Sequence, residues 1–344
     1  MSRFLIAPRF LIAATTAGVL LLAGPAWPAP RPAPVPAAAP TLQLEREIAR
    51  QAGTIDGVVG VAAWRLDGKG PRLLVRGDER FPMASTFKVA VAGAVLARVD
   101  RGELSLEQML PVAPAQMIES EVLADRFIHP GVSLSVANLL ELMLTQSDNS
   151  ATDVLVAAAG GPAAVTAWVR GQGVEGLRVD RDTGDLLRGF FGIGPGPFPE
   201  ALALARQRDP HLDDKGPHIN PAFDDDPRDT ATPAAMGQLL TRLFRGEALS
   251  PASTRLLIEM MGRCRTGDNR LRARMPADTT VADKTGTLGG SVNDVGVITL
   301  PDGRGQIVVA VFIKKSDLPF AARERVIADI ARSVRDFYLL QAAP

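Results

Sequence analysis

Apolar residues at helical spacing from Leu42 to Ala52 predict an amphipathic helix, and the apolar runs Val58 to Leu66 and Arg72 to Val75 predict two strands joined across Asp67-Gly68-Lys69-Gly70-Pro71. Helical periodicity then dominates. It predicts helices over Ser85–Val99, Ser135–Gln146, Ala151–Ala159, Pro162–Arg170, Pro233–Phe244 and Pro251–Met261, and Pro162, Pro233 and Pro251 each suit a first helical turn. Strands return at Thr280–Thr287, Val292–Leu300 and Gln306–Lys314, linked by Gly289-Gly290 and by Pro301-Asp302-Gly303, before a closing helix over Arg323–Leu340. Ile307 to Ile313 is apolar without alternation, so that strand is expected to be covered on both faces. No internal repeat is visible. Two strands, a helical excursion, then three strands and a helix imply one sheet completed by both ends of the chain, with a helical lobe inserted between.

Two segments stand outside this pattern. Arg3 and Arg9 precede an apolar run from Phe10 to Leu22 and small residues through Ala26, the layout of a secretory signal, and the run is shorter than the about 20 residues of a membrane span. Residues 27–40, rich in Pro and Ala, read as an extended spacer, so folding is expected from Thr41 to Pro344 and the location as periplasmic or secreted, without a stable membrane anchor. Between Phe190 and Pro227, Gly and Pro are dense and Asp224-Asp225-Asp226 is acidic; this reads as a long loop with at most a short helix over Pro199–Arg208.

Composition narrows the chemistry. The chain of 344 residues is 46% hydrophobic and 22% charged, with 38 basic and 38 acidic residues and no basic run, so a nucleic-acid partner is not expected. The first 40 residues carry three Arg and no acid, which leaves 35 bases against 38 acids. One cysteine, Cys264, cannot form an intramolecular disulfide and reads as a small buried side chain. Three histidines without HExxH or CxxC spacing argue against zinc, and His211 and His218 with Asp213, Asp214 and Asp224 are better read as a polar loop than as a metal site. No metal or cofactor is called for.

Three short fragments carry the candidate chemistry. Ser85-Thr86-Phe87-Lys88 is an S-x-x-K at the head of an apolar helix; the spacing puts a lysine one turn from a serine, where a desolvated amine can take the hydroxyl proton. Ser147-Asp148-Asn149 lies between two predicted helices, and Lys284-Thr285-Gly286 lies on a predicted strand. Each alone has a bland reading as a cap or a strand. Together and in this order they are the signature set of the penicillin-recognising serine enzymes, and the chain resembles a class A β-lactamase from about Thr41 to Leu340. The resemblance extends to Arg228-Asp229-Thr230-Ala231-Thr232-Pro233-Ala234-Ala235-Met236 at the end of that family's omega loop.

The resemblance implies an α/β, two-lobed fold with an antiparallel sheet flanked by helices plus an all-helical lobe. It implies Ser85 as acylated nucleophile, Lys88 as proton acceptor, Ser147 as proton shuttle and Asn149 as a contact to the substrate amide. Lys284 and Thr285 would bind the substrate carboxylate, and the N–H groups of Ser85 and Thr287 would form the oxyanion hole. Arg270 matches a position from which some members supply an arginine to that carboxylate; its loss is then expected to raise KM with little effect on stability. The implied substrate is a small-molecule β-lactam, or a D-Ala-containing peptidoglycan fragment if the chain is a D-alanyl peptidase, an esterase or a non-hydrolysing penicillin-binding protein. A monomer is expected.

One departure stands out. Where the family's omega loop carries a water-activating Glu and a partner Asn, this chain has Thr183 and Leu187, and Arg181 and Asp229, the matching ion pair, lie 48 positions apart. The segment 190–227 therefore reads as an insertion where deacylation would occur. A hydroxyl cannot replace a carboxylate as a base. Acylation is expected with slow deacylation, unless Asp185 or Glu200 substitutes.

Overall fold

The computed structural model describes residues 41–120 and 122–341; the expected signal and spacer lie outside the described residues. The sheet forms as the apolar runs require: β1 (Val58–Arg65), β2 (Leu73–Val75), β3 (Thr280–Leu288), β4 (Ser291–Thr299) and β5 (Gln306–Lys314) stand in the order β2-β1-β5-β4-β3, all antiparallel. Both ends of the folded chain thus build one sheet. The turn into β5 is a short 3₁₀ segment, Pro301–Gly303, in which Asp302 takes a left-handed conformation.

β5 is buried along Ile307–Ile313, and its alternation explains the absence of polar positions. Ile307, Val309, Val311 and Ile313 face a layer made by the helices Leu42–Ala52 and Phe320–Leu340, whereas Val308, Ala310 and Phe312 face the larger core. That larger core includes Trp64, Phe81, Leu239 and Leu240, and continues into the helical lobe around Val89, Leu96, Leu139 and Leu155. The lobe is organised on the helix Lys88–Asp100, buried from Lys88 to Ala97. Gly93 is required there because a Cβ would strike the Trp168 ring. Tyr338 fastens the final helix to the sheet through its hydroxyl, which donates to the carbonyl oxygens of Ala63 (3.0 Å) and Pro71 (2.9 Å).

Two expectations are corrected. Ser85 does not begin an α-helix; it sits in the 3₁₀ turn Ala84–Phe87, and the α-helix starts at Lys88. The segment expected to be a long loop is ordered into Thr183–Phe191, Phe198–Arg208, a 3₁₀ turn Asp213–Lys215 and Pro221–Asp224. Its Gly and Pro residues punctuate these short helices: Gly192 ends the first in the left-handed region, and Pro199 and Pro221 occupy first-turn positions of the next two. Among the described residues no single helix is long and apolar enough to cross a membrane.

At Gly296 of β4 a Cβ would run into the carbonyl oxygen of Ala282 and the Cα of Asp283 on β3. Both are backbone and cannot rotate away. Gly296→Ala is expected to destabilise the protein by about 2 kcal/mol or more, read as a lower midpoint in denaturant unfolding.

Candidate active site

Ser85 is presented by a strained turn that three contacts hold in place. Ala84 lies in the left-handed region (φ 43°), an unfavourable conformation for a residue with a Cβ. The Thr86 hydroxyl donates to the Met83 carbonyl (2.8 Å), and Asn293, fully buried on β4, donates from Nδ2 to the carbonyls of Pro82 (2.9 Å) and Met83 (3.1 Å). On the other side β3 presses against the turn at Gly286: a Cβ there would lie 2.5 Å from the Met83 oxygen and 3.0 Å from the Ser85 nitrogen. The lack of a side chain brings the Gly286-Thr287 backbone next to the Ser85 backbone. Asn293 was not foreseen, since the polar pair Asn293-Asp294 in this strand matches no motif and its partners lie about 210 positions away.

Two buried lysines converge on Ser147. Lys88, fully buried, donates from Nζ to the Ser147 carbonyl (2.6 Å), the Ser147 Oγ (3.2 Å) and Asn149 Oδ1 (2.9 Å). Lys284, also fully buried, donates to Ser147 Oγ (2.9 Å) and to its neighbour's carbonyl at Thr285 (3.0 Å). Ser147 itself takes a left-handed backbone conformation (φ 59°), which lets its carbonyl and hydroxyl face the same ammonium. Burial, reinforced by the Lys284 charge, holds the Lys88 ammonium well below its ordinary pKa, against the opposing fields of Asp148 and Asp153. Burial also lowers Lys284, with Asp283 and Asp294 among the charges opposing it.

The remaining expected residues fall around this centre. Asn149 is fixed by its Nδ2, which donates to the Glu119 carbonyl (3.0 Å). Thr285 shares a hydrogen bond with Thr266 (2.5 Å between hydroxyl oxygens), and Thr287 is exposed at the cleft end of β3. Cys264 is buried, as expected, with Sγ 3.4 Å from the Thr266 hydroxyl.

Arg270 is neither a surface arginine nor a free carboxylate binder. It is 3% exposed, its Nε pairs with Glu324 (3.1 Å), its Nη1 donates to the Asn293 carbonyl (2.8 Å), and its Nη2 donates to the Thr287 hydroxyl (2.7 Å). It braces β3 and β4 and orients Thr287. Its loss is therefore expected to cost stability, in contrast to the expectation for a surface arginine.

Arg181 and Asp229 form the expected pair (Nε to Oδ2, 2.6 Å) despite their separation in sequence. Asp185 and Glu200, the candidate substitute bases, are both exposed, in the first turns of the helices Thr183–Phe191 and Phe198–Arg208. The carboxylate beside Thr183 is instead Asp153, from the helix Asn149–Ala158. It accepts the backbone N–H of Thr183 (2.7 Å) and of Gly184 (2.9 Å), the orphan donors of a helix N-terminus. Burial, with the Asp182 charge nearby, pushes Asp153 up to about 7. The Thr183 hydroxyl is buried with no hydrogen-bond partner among the described residues. His211 pairs with Asp214 (2.9 Å) and His218 lies 3.5 Å from Asp317, so the two histidines take separate partners.

Comparison with known proteins agrees with this geometry. Residues 43–338 match the Beta-lactamase enzyme family. An ancestral class A β-lactamase is 39% identical, with a TM-score of 0.70 over 86% of this chain and 99% of its own. A β-lactamase from Xanthomonas campestris pv. campestris is 33% identical (TM-score 0.71; 86% and 97% covered), and one from Chitinophaga pinensis is 30% identical (TM-score 0.70; 86% and 98% covered). The chain belongs to the class A β-lactamase family, with a divergent omega loop, and is a hydrolase of β-lactamase type.

Two outcomes follow from the buried charges. Arg270→Ala would leave Glu324 buried without its cation and is expected to cost about 3 kcal/mol or more, with part of the loss recovered in an Arg270→Met, Glu324→Gln double variant. For Asp153 the folded-state pKa lies above the ordinary carboxylate value, so its contribution is present at low pH and lost as pH rises through about 7. Asp153→Asn removes that dependence, and the melting temperature of the variant minus that of the wild type should rise between pH 4 and pH 8.

Proposed function

We propose that the protein is an exported serine β-lactamase that opens the β-lactam amide through an acyl-enzyme on Ser85 and releases that acyl group slowly. The observation that carries this reading is the convergence of two buried lysines on the Ser147 hydroxyl, beside the strained Ser85 turn. An amine held well below its ordinary pKa can accept a proton at neutral pH, and Lys88 follows Ser85 by one turn.

In the proposed sequence Lys88 takes the Ser85 hydroxyl proton as Oγ bonds to the lactam carbonyl carbon. The oxyanion is received by the backbone N–H groups of Ser85 and Thr287, which the Gly286 contact brings together. The carbon–nitrogen bond then breaks. Ser147 passes its hydroxyl proton to the leaving nitrogen and is reprotonated from Lys88. Lys284 and Thr285 receive the substrate carboxylate, and Arg270 acts through Thr287. Deacylation requires a base on the attacking water, and Thr183 supplies none. Export rests on the Arg-flanked apolar run and the Pro/Ala tract of the first 40 residues.

Quenched-flow assay with benzylpenicillin is expected to give a burst of one product per chain followed by slow turnover, with one acyl mass on the Ser85 peptide and no adduct in Ser85→Ala. Fast steady turnover without an accumulating adduct would contradict slow deacylation. An adduct that never turns over would indicate a penicillin-binding protein, and label on another serine would remove the mechanism.

A further inference from the structure

Asp153 is a buried carboxylate for which the acylation sequence has no use. It lies one turn past Asn149 on the helix Asn149–Ala158, on the face where Asn149 Oδ1 accepts a hydrogen bond from the Lys88 ammonium (2.9 Å). Its field acts on Lys88, so it stands under the same centre. The carboxylate is aimed at the start of the helix Thr183–Phe191, where Oδ1 accepts the Thr183 N–H (2.7 Å) and Oδ2 the Gly184 N–H (2.9 Å). Each carboxylate oxygen has two lone pairs, and these bonds leave one free on each.

Thr183 stands between that carboxylate and the Ser85 turn. Positions 183, 186 and 190 share one face of their helix, and Leu186 and Phe190 pack on Ala84, the residue before Ser85. Thr183 is 5% exposed, and its hydroxyl has no hydrogen-bond partner among the described residues, although it lies close enough to Asp153 to favour the charged carboxylate. Such a hydroxyl has a proton to give to Asp153 and lone pairs to offer to a second group. Of the charges around Asp153, Lys88 faces it from the helix Lys88–Asp100 and Asp182 from the turn before Thr183. Asp182 is itself under the fields of Asp185, Arg188 and Asp229. Asp148, at the head of the Asp153 helix, turns its carboxylate to Ser120, Leu123 and Ala151.

In the functional reading proposed above, on which this inference rests, the acyl group on Ser85 is released by water. We infer that Asp153 is the base of that step and draws the water's proton through the Thr183 hydroxyl. As the water oxygen bonds to the ester carbon, its proton passes to Thr183 Oγ1 and the Thr183 hydroxyl proton passes to Asp153. The carbon–Oγ bond then breaks, and the proton held by Asp153 returns to Ser85 Oγ. The released acid ionises in solvent. A base that reaches the water only through a hydroxyl is a weaker arrangement than a carboxylate in contact with it, in keeping with slow release. Burial and the Asp182 charge push Asp153 up to about 7, so its unprotonated fraction grows as pH rises through that value.

The test separates release from acylation. Each protein is loaded with benzylpenicillin, freed of excess, and followed by mass as the Ser85 adduct disappears, between about pH 5 and about pH 9. In the wild type, release should quicken as pH rises through about 7 and then level off. Asp153→Asn should slow release at high pH roughly a hundredfold and remove the pH dependence. Thr183→Val should slow it comparably while leaving the backbone bonds to Asp153 in place, and Thr183→Ser should release like the wild type. Adduct formation should keep its wild-type rate in all three. Thr183→Val releasing as fast as the wild type would overturn the inference, because Asp153 would then only hold the helix start. So would a flat pH profile in the wild type, or variants in which adduct formation falls together with release. Absence of any Ser85 adduct in the wild type and in every variant would instead overturn the functional reading, and this inference with it.

Discussion

Two ammonium groups buried within reach of one hydroxyl impose the main constraint on this molecule. Lys88 and Lys284 are both removed from water and both donate to Ser147 Oγ, so neither gains solvation and each raises the cost of charging the other. The surroundings treat them differently. Lys284 has Asp283 and Asp294 behind it, two fully buried carboxylates whose own pKa values burial pushes up, Asp294 to about 6. Arg272 stands 3.2 Å from Asp283 and completes that buried charge cluster. Lys88 has only neutral oxygens as direct partners. Asp148, which follows Ser147, spends its carboxylate on Ser120, Leu123 N–H and Ala151 N–H. Of the two lysines, Lys88 is the one the structure prepares to give up its proton.

Much of this was readable in the chain because it rests on local periodicity and on short spacings. The helix Pro233–Phe244 and the strand Gln306–Lys314 were delimited by a first-turn proline and by an unbroken apolar run, signals that survive without tertiary information. Ser85, Lys88, Ser147, Asn149 and Lys284 were found as motifs; the last four meet, and Ser85 lies in the turn that leads into Lys88. The parts that escaped depend on contacts across the fold. Asp153 and Asn293 belong to no motif of the chain, and their roles are defined by the orphan N–H and carbonyl groups of segments 30 and 210 positions away. Arg270 was found, but its burial against Glu324 on the final helix was not legible in the sequence. The Gly and Pro residues of segment 190–227 read as loop, although they separate short helices that bury their apolar side chains against the cleft walls.

The loss of the omega-loop glutamate has an architectural counterpart. At the position of that carboxylate the chain begins a helix, and its first N–H groups need an acceptor. Asp153 fills that need from below, and the segment that follows is long enough to be seated on both walls of the cleft. A site able to acylate and poor at releasing the acyl group is what the proposed function expects of this change, since Lys88, Ser147 and Lys284 meet through their own side chains while Thr183 supplies no base.

The acylation step proposed above needs a Lys88 amine that gives up its proton far more readily than an ordinary lysine, the direction in which its burial acts. Nuclear magnetic resonance of the protein carrying ¹³C at the lysine ε-carbons tests it directly, with the Lys88 signal assigned by its absence in Lys88→Met. The Lys88 resonance should titrate well below the ordinary lysine value of about 10.4. A Lys88 resonance that titrates at that ordinary value would contradict the account.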